Sequence, residues 1–230
     1  MGGRFSLAVQ MHRDNPVFLS YLLEQMKNPA IDVRTDCELT PELVKELRPD
    51  VIVVATGARA VAMPIPGCEE AQVVSGDTLN EMIADCFASA DLGKKLVILD
   101  SGIVAVELAE FLARAGKSVS IVSANSRLAN EVGKKRRGEE SKRLDLAGVS
   151  VNTGVEINEI VAEGVLITVA GKQRLVKADN VLIPEMYVAD NSVLESLSGL
   201  APEVYAVGDC TGFGLVKQGV KQVTELFYKI

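Results

Sequence analysis

The pattern of apolar and polar residues predicts helices at several places. Apolar side chains recur at helical spacing over residues 16–27 (PVFLSYLLEQMK), and a further helix is predicted over the polar residues 134–146. A further helix is expected after Thr40, because this threonine is a favourable N-cap and Pro41 suits the first helical position. A closing helix is expected from about Leu215. Helices are therefore distributed along the whole chain.

Continuous apolar runs between these helices predict buried strands. VIVVA at 51–55 is typical of a parallel sheet and ends in a tight turn at Thr56–Gly57. EVYAVGDC is similar and ends at Gly208–Asp209. Shorter strands are expected near IDVRT and, as antiparallel hairpins, in GVSVNTG, EGVLITVAG and QRLVKADNVLIP. Strands and helices in this order predict an α/β fold.

The middle of the chain has the clearest alternation. Strand LVIL precedes a helix from about Val104 to Arg114, Gly116 stops that helix, and strand SVSIV follows. Residues 95–123 thus have the length of one βαβ unit. The connections MPIPG, ADLGKK and IPEM mark breaks on either side. We therefore expect an inserted domain at 92–183, between two parts of a second domain at 1–91 and 184–230.

Net charge and the counts of cysteine and histidine argue against several classes of function. The net charge of -7 over 230 residues argues against nucleic acid and anionic membranes as partners. The opening MGGRFSLAVQ lacks the features of a targeting peptide, so a cytoplasmic location is expected. The four cysteines form no C-x-x-C pair, and His12 is the only histidine. These counts argue against a dithiol, a metal centre or a hydrolytic triad, so redox chemistry would need a cofactor.

The stretch VILDSGIVAVEL at 97–108 resembles a dinucleotide-binding turn. The G-x-G-x-x-G/A template requires glycine at 100 and 102 and a small residue at 105, whereas the chain has Asp100, Gly102 and Ala105. The Asp100 carboxylate would repel a diphosphate at the helix N-terminus, or cap that helix itself. Strong NADH binding is therefore expected to be lost, with weak NADPH or adenine-nucleotide binding left open.

The end of the next strand departs from the template as well. NAD-binding units place an acidic residue there to bind the ribose hydroxyls, and this chain has Ser123. The loss of the acid favours either NADPH or no ligand. Arg127 and the KKRR run at 134–137 offer charge for a 2'-phosphate, although a basic run on a helix is more often a solvated face.

The order of these phrases resembles one flavoprotein family. GGRFSLA, TPELVKELRPDVIVVATGA, PIPG, KKLVILDSGIVAVELAEFLARAGKSVSIV and VYAVGDC together cover nearly the whole chain. They resemble the C-terminal part of the 2,4-dienoyl-CoA reductase and trimethylamine dehydrogenase family, whose members fuse an old-yellow-enzyme barrel to a glutathione-reductase-like module. The resemblance implies two dinucleotide-binding domains, FAD and NAD(P) as cofactors, and oxidoreductase activity.

The resemblance assigns the two strand-end turns to FAD. Asp209 would accept a hydrogen bond from a ribityl hydroxyl, and Gly208 would let the backbone approach the diphosphate. Ala55, Thr56 and Gly57 would lie near the adenine side of FAD. The other interpretation of each is an ordinary strand-end turn, which we prefer for this chain without the first FAD-binding βαβ unit. For a full-length parent protein we prefer the role in FAD binding.

The resemblance also implies what this sequence lacks. Gly2–Gly3 follows the first FAD-binding βαβ unit in that family, so a fragment without this unit and without the FMN barrel is expected, and activity of the chain alone is not. Glu185 and Met186 replace small residues of the family's A-x-G-x-x-P-N phrase. Glu107 matches an acidic position of such helices, where packing and surface charge are its expected role.

The motifs and the resemblance leave two alternative functions for the chain. The first is the FAD/NAD(P)-type module of an NADH:flavin oxidoreductase, which passes hydride from NAD(P)H through FAD toward a barrel-bound FMN. The second is a non-catalytic, degenerate nucleotide-binding or scaffold module, as Asp100, Ser123 and the Glu185–Met186 segment suggest. The sequence names neither the substrate nor the oligomeric state.

Overall fold

The computed structural model describes residues 1–12, 15–61, 63–184 and 186–230. The helices are α1 Phe5–Met11, α2 Asn15–Gln25, α3 Pro41–Leu47, α4 Gly76–Ala84, α5 Ile103–Arg114, α6 Lys134–Leu146, α7 Ser192–Leu197 and α8 Val216–Phe227, with a 3-10 turn at Gly208–Cys210. The strands are β1 Val51–Val54, β2 Ala58–Val61, β3 Val73–Ser75, β4 Lys95–Leu99, β5 Ser118–Ser123, β6 Ser150–Thr153, β7 Glu156–Val161, β8 Gly164–Val169, β9 Lys172–Lys177, β10 Asn180–Ile183, β11 Met186–Ala189 and β12 Glu203–Ala206.

The chain divides into two compact units. Unit 1 comprises Met1–Ile31 and Ala62–Glu185, and unit 2 comprises Asp32–Val61 and Met186–Ile230. The division into an inserted domain at 92–183 stays a prediction. Strand β3, which precedes residue 92, pairs with β10 in the large sheet of unit 1.

Unit 1 is built on a five-stranded sheet with the order β3-β10-β4-β5-β6, in which all pairs are parallel. β4 is buried along almost its whole length, as expected for a central strand of such a sheet. α5 packs against β5, and its inward positions, including Ala105 and Leu108, are fully buried. β7, β8 and β9 form a separate antiparallel sheet. The α/β prediction with a parallel sheet is confirmed.

Unit 2 contains two small sheets. β1 pairs with β12 in parallel, and β2 pairs with β11 antiparallel. α3 begins as predicted, because the Thr40 side chain accepts a hydrogen bond from the Leu43 N–H at 3.3 Å. The core of this unit is a hydrophobic cluster whose buried members are Val44, Ile52, Val54, Leu197 and Cys210.

Three local predictions need correction. No strand forms at IDVRT, where the backbone is irregular and exposed. β6 and β10 were expected in antiparallel hairpins, but both belong to the large parallel sheet. β6 runs parallel to β5, and β10 runs parallel to β4. The expected hairpins are confined to β7, β8 and β9. Within the described ranges, no helix is both long enough and apolar enough to cross a membrane.

Candidate nucleotide-binding site

The turn between β4 and α5 has the strand-turn-helix geometry of a dinucleotide-binding loop. β4 ends at Leu99, and Gly102 is the N-cap of α5 with an extended backbone (φ -65°, ψ 171°). Ala105 is fully buried on α5, so a small residue allows the helix to pack closely at this position. Gly102 therefore precedes α5 and Ala105 packs inside it, and their role in binding a nucleotide stays a prediction.

Two carboxylates border Gly102. A methyl group built on this glycine would lie 3.1 Å from Asp100 Oδ2 and 3.1 Å from Glu131 Oε1. The Ile103 N–H donates a hydrogen bond to Glu131 Oε1. Because a helix N-terminus stabilises negative charge, both acidic groups lie where a phosphate would otherwise be favoured. Sequence analysis missed Glu131, which is 28 residues from Ile103 in the chain.

The pKa of Asp100 lies above its ordinary value. Burial is the main cause, and the charge of Glu131 raises the pKa further. The N–H groups of Ser101 and Gly102 donate hydrogen bonds to Asp100 and oppose the rise. Asp100 therefore interacts with the start of the helix, where it was expected either to repel a diphosphate or to cap the helix. The N–H of Ile103, the first residue of α5, is held by the second carboxylate, Glu131.

Ser123 lies beside the same turn, buried at the end of β5. Its hydroxyl donates to Ser101 Oγ at 3.0 Å, and the Asn125 side chain donates to the same Ser101 oxygen at 3.2 Å. The Asn125 N–H donates to Ser123 Oγ at 3.2 Å. The side chain at the position expected to meet a ribose is thus part of a hydrogen-bond network between the ends of β4 and β5.

The basic residues are divided between surface and interior contacts. Arg127, Lys134 and Lys135 are exposed. Arg136 bridges Glu107, at 2.8 Å, and Glu140, at 3.4 Å. Arg137 donates to backbone carbonyls at 129 and 132. Half of the KKRR run therefore serves internal contacts, which leaves Arg127 and the two lysines as exposed cations on this side of α6.

A buried polar cluster joins α5 to α6. Glu107 and Glu140 are 5% and 1% exposed, and ligand atoms of both lie within 4.8 Å of each other and of His12. Burial raises the pKa of Glu107 to about 7; the neighbouring Arg136 opposes this rise, and Glu140 adds to it. Arg143 donates to Glu140 Oε1 at 2.5 Å. Two guanidinium groups already neutralise these carboxylates, so a divalent cation would meet strong repulsion here.

In unit 2 the two predicted flavin turns follow neighbouring strands. The Val207 N–H donates to the Val54 carbonyl at 2.9 Å, so the residues after β1 and β12 emerge at the same sheet edge. Gly57 and Gly208 have positive φ angles of 84° and 74°, and a methyl group would meet nothing within 4 Å at either. Ala55 and Thr56, beside Gly57, are exposed.

Internal partners also occupy the second flavin turn. The Gly208 N–H donates to Gln222 Oε1 at 2.6 Å, and Asp209 Oδ1 accepts from the Gly214 N–H at 3.2 Å. Sequence analysis missed Gln222, which α8 brings to this turn. Of the two residues that replace small ones in the family phrase, Met186 lies in β11, half exposed, and Glu185 lies outside the described residues.

Comparisons with known proteins agree with this architecture. The chain is 24% identical over 215 residues to an NADH oxidase of Thermoanaerobacter brockii, with 93% of the chain and 33% of that protein covered. It is 26% identical to a bilirubin reductase of Mediterraneibacter gnavus, covering 91% of the chain and 32% of that protein. The chain thus spans about a third of these relatives.

Solved structures show the same fold. The structure of 2-naphthoyl-CoA reductase in complex with 2-naphthoyl-CoA superposes with a TM-score of 0.80 at 27% identity, covering 96% of this chain and 33% of that one. Histamine dehydrogenase from Rhizobium sp. 4-9 gives a TM-score of 0.67 at 20% identity, with 87% and 31% covered.

A family model described as pyridine nucleotide-disulphide oxidoreductase matches residues 22–225. The predicted glutathione-reductase-like dinucleotide-binding fold, and its classification as an oxidoreductase-type flavoprotein domain, are confirmed by these matches. The chain belongs to the pyridine nucleotide-disulphide oxidoreductase family.

Proposed function

We propose that the chain is the FAD/NAD(P)-type module of an NADH:flavin oxidoreductase of the enoate or dienoyl-CoA reductase kind. In this proposal, hydride passes from NAD(P)H through FAD to an FMN bound in a separate barrel. The observation that carries it is the match of residues 22–225 to this family, on a chain whose parallel sheet and strand-turn-helix geometry before α5 are those of a dinucleotide-binding domain. The names of the similar proteins, which include an NADH oxidase, a bilirubin reductase and 2-naphthoyl-CoA reductase, support it.

The small sheet of unit 2 supports a larger parent protein. β1 and β12 form a parallel pair, whereas parallel strands normally belong to larger sheets that are covered on both faces. A further βαβ unit that contributes strands and the flavin fingerprint would complete this sheet. In this proposal, residues 1–91 and 184–230 belong to the flavin side, and the chain depends on other segments for activity.

The residues fit the two cofactors unequally. At the flavin turns, Gly57 and Gly208 leave open space, and the internal partners there are the neutral Gln222 side chain at the Gly208 N–H and the Gly214 N–H at Asp209 Oδ1. At the nicotinamide turn, the side chains as arranged do not fit a diphosphate, because Asp100 and Glu131 hold its donors. We therefore derive no step through a nicotinamide nucleotide bound at this turn.

This misfit favours a second candidate function, a non-catalytic scaffold with a degenerate nucleotide loop. Asp100 replaces the glycine that makes the tight turn of the template, and Ser123 replaces the acidic residue that binds the ribose of NADH. The structure adds Glu131, which places a second carboxylate at the same helix terminus. In this function the fold stabilises a larger flavoprotein without delivering hydride.

Thermal unfolding with FAD, NADH, NADPH and ADP separates the two functions. A ligand at about a hundred times its Kd adds about 2.7 kcal/mol and raises the Tm by several degrees. A shift with NADH or NADPH supports the hydride-donor module. No shift with either, combined with NADH binding by the double variant Asp100→Gly and Ser123→Glu, supports the degenerate scaffold.

A further inference from the structure

A loop crosses the N-terminus of α5 and is fastened on both sides. This covering loop comprises residues 125–133 and connects β5 to α6. The Ala129 N–H donates to the Ser101 carbonyl at 2.6 Å, and Ala129 is fully buried although its φ of +44° is unusual for a residue with a side chain. Arg137 donates to the carbonyls of Ala129 and Val132 at 3.4 and 3.1 Å. The loop is therefore held in one conformation by both the turn and α6.

The covering loop brings a single acidic side chain to the helix terminus. Ile103 is the first residue of α5, and its N–H donates to Glu131 Oε1. A carboxylate in this place forms a charge-assisted hydrogen bond and interacts favourably with the helix dipole. A diphosphate would make the same two interactions, so Glu131 and a nucleotide compete for one place.

The two carboxylates at this terminus differ in their freedom to leave it. Asp100 belongs to the turn itself, is largely shielded from solvent, and accepts hydrogen bonds from the neighbouring N–H groups of Ser101 and Gly102. Glu131 is exposed, so its side chain can rotate into water without burying its charge elsewhere. The Asp100 carboxylate therefore stays at the turn, whereas the Glu131 carboxylate can move away from the helix N-terminus.

We propose that Glu131 is an intramolecular competitor that the diphosphate of an adenine dinucleotide must displace from the N-terminus of α5. This inference rests on the proposed function, because it concerns the regulation of the same turn. Rotation of the Glu131 side chain away from the Ile103 N–H would switch the turn between a self-capped state and a ligand-binding state.

Titration calorimetry with ADP-ribose tests the proposal on the chain as it is. ADP-ribose carries the diphosphate and both riboses but no nicotinamide, so its binding is independent of hydride transfer. Glu131→Ala removes the competing acceptor and its charge, and an affinity gain of about ten-fold or more is expected. Glu131→Gln removes only the charge and should gain less. Glu139→Gln, an exposed change of equal charge on α6, should leave the Kd unchanged.

Hydrogen exchange at Ile103 gives a second readout. In the Glu131→Ala protein this amide should exchange faster without ligand and be protected again by ADP-ribose. Equal Kd values for wild type and Glu131→Ala would overturn the proposal, as would the absence of ADP-ribose binding by all variants, including Glu131→Ala with Asp100→Gly. Failure of the proposed function has a different signature: Glu131→Ala gains ADP-ribose affinity, yet neither NADH nor NADPH raises the Tm of this variant.

Discussion

At the scale of single residues, unit 1 keeps two acidic side chains, Asp100 and Glu107, largely out of water. Burial alone would make Asp100 and Glu107 costly, because removing a carboxylate from water disfavours its charged form. Arg136 offsets this cost at Glu107, and backbone N–H groups offset it at Asp100. The chain thus retains buried acidic groups whose ionisation depends on their internal partners.

Glu107 predicts how stability depends on pH. Its pKa in the folded chain is about 7, above the ordinary 4.5, so the folded state holds this proton more tightly than the unfolded state does. The resulting stabilisation is full below about pH 4.5 and is lost as the pH rises through 7. The loss is on the order of 3 kcal/mol.

Glu107→Gln should remove most of this pH dependence. Urea unfolding of wild type and variant between pH 4.5 and 8 measures it as a change in the free energy of unfolding. The variant keeps the other groups that face this carboxyl, which are Arg136, Arg143, Glu140 and His12. Because the pKa of Asp100 is also raised, a smaller dependence of the free energy of unfolding on pH, with the same sign, should remain. Glu139→Gln is the matched control. An unchanged slope in Glu107→Gln would show that this carboxyl ionises normally.

At the scale of helices and strands, caps and tight turns determine where elements begin and end. The hydroxyl of Thr40 satisfies the Leu43 N–H at the start of α3. Thr40→Ala should therefore lower the free energy of unfolding by about 1 kcal/mol, whereas Thr40→Ser should keep most of it. Chemical denaturation followed by circular dichroism compares the three proteins. Equal losses in both variants would mean that the methyl group, rather than the hydroxyl, stabilises this end.

The turn between β7 and β8 makes a stronger prediction. Gly164 has a φ of +142°, and a methyl group built on it would collide with the Val176 carbonyl oxygen of β9. Gly164→Ala should lower the free energy of unfolding by at least about 3 kcal/mol. Gly171 also has a positive φ, of 75°, but open space around it, so Gly171→Ala should cost only about 1 kcal/mol. Similar losses in the two variants, measured in urea, would contradict the steric argument.

These elements also show what the sequence could predict. Local signals predicted the βαβ unit with nearly its observed bounds, because apolar runs and glycine stops act within a few residues. The range of α6 was also predicted, although this helix is almost wholly polar and has no side-chain cap. The pairing of β6 and β10 was wrong, since strand partners are chosen by the assembled sheet. Glu131 and Gln222 carry no local signal, because each reaches its backbone donor only after distant segments have packed.

At the scale of the whole molecule, the two units differ in the size of their sheets and cores. Unit 1 has a five-stranded parallel sheet with deeply buried central strands, whereas each sheet of unit 2 has two strands. Two-stranded sheets are marginally stable by themselves, and a small core contributes little burial. We therefore expect unit 2 to unfold at lower denaturant concentration than unit 1.

Hydrogen exchange in increasing urea, resolved by peptide mass spectrometry, measures this order directly. Amides of β1 and β12 should lose protection before those of β4 and β5, because local unfolding follows the stability of each cooperative unit. Two buried leucines provide matched variants, Leu197 in unit 2 and Leu108 in unit 1, which are 1% and 0% exposed. Either change to alanine should cost about 2–5 kcal/mol. Leu197→Ala should shift only the transition of unit 2, at lower urea concentration, and Leu108→Ala only the transition of unit 1. A shift of both transitions by either change would show that the chain unfolds as one cooperative unit.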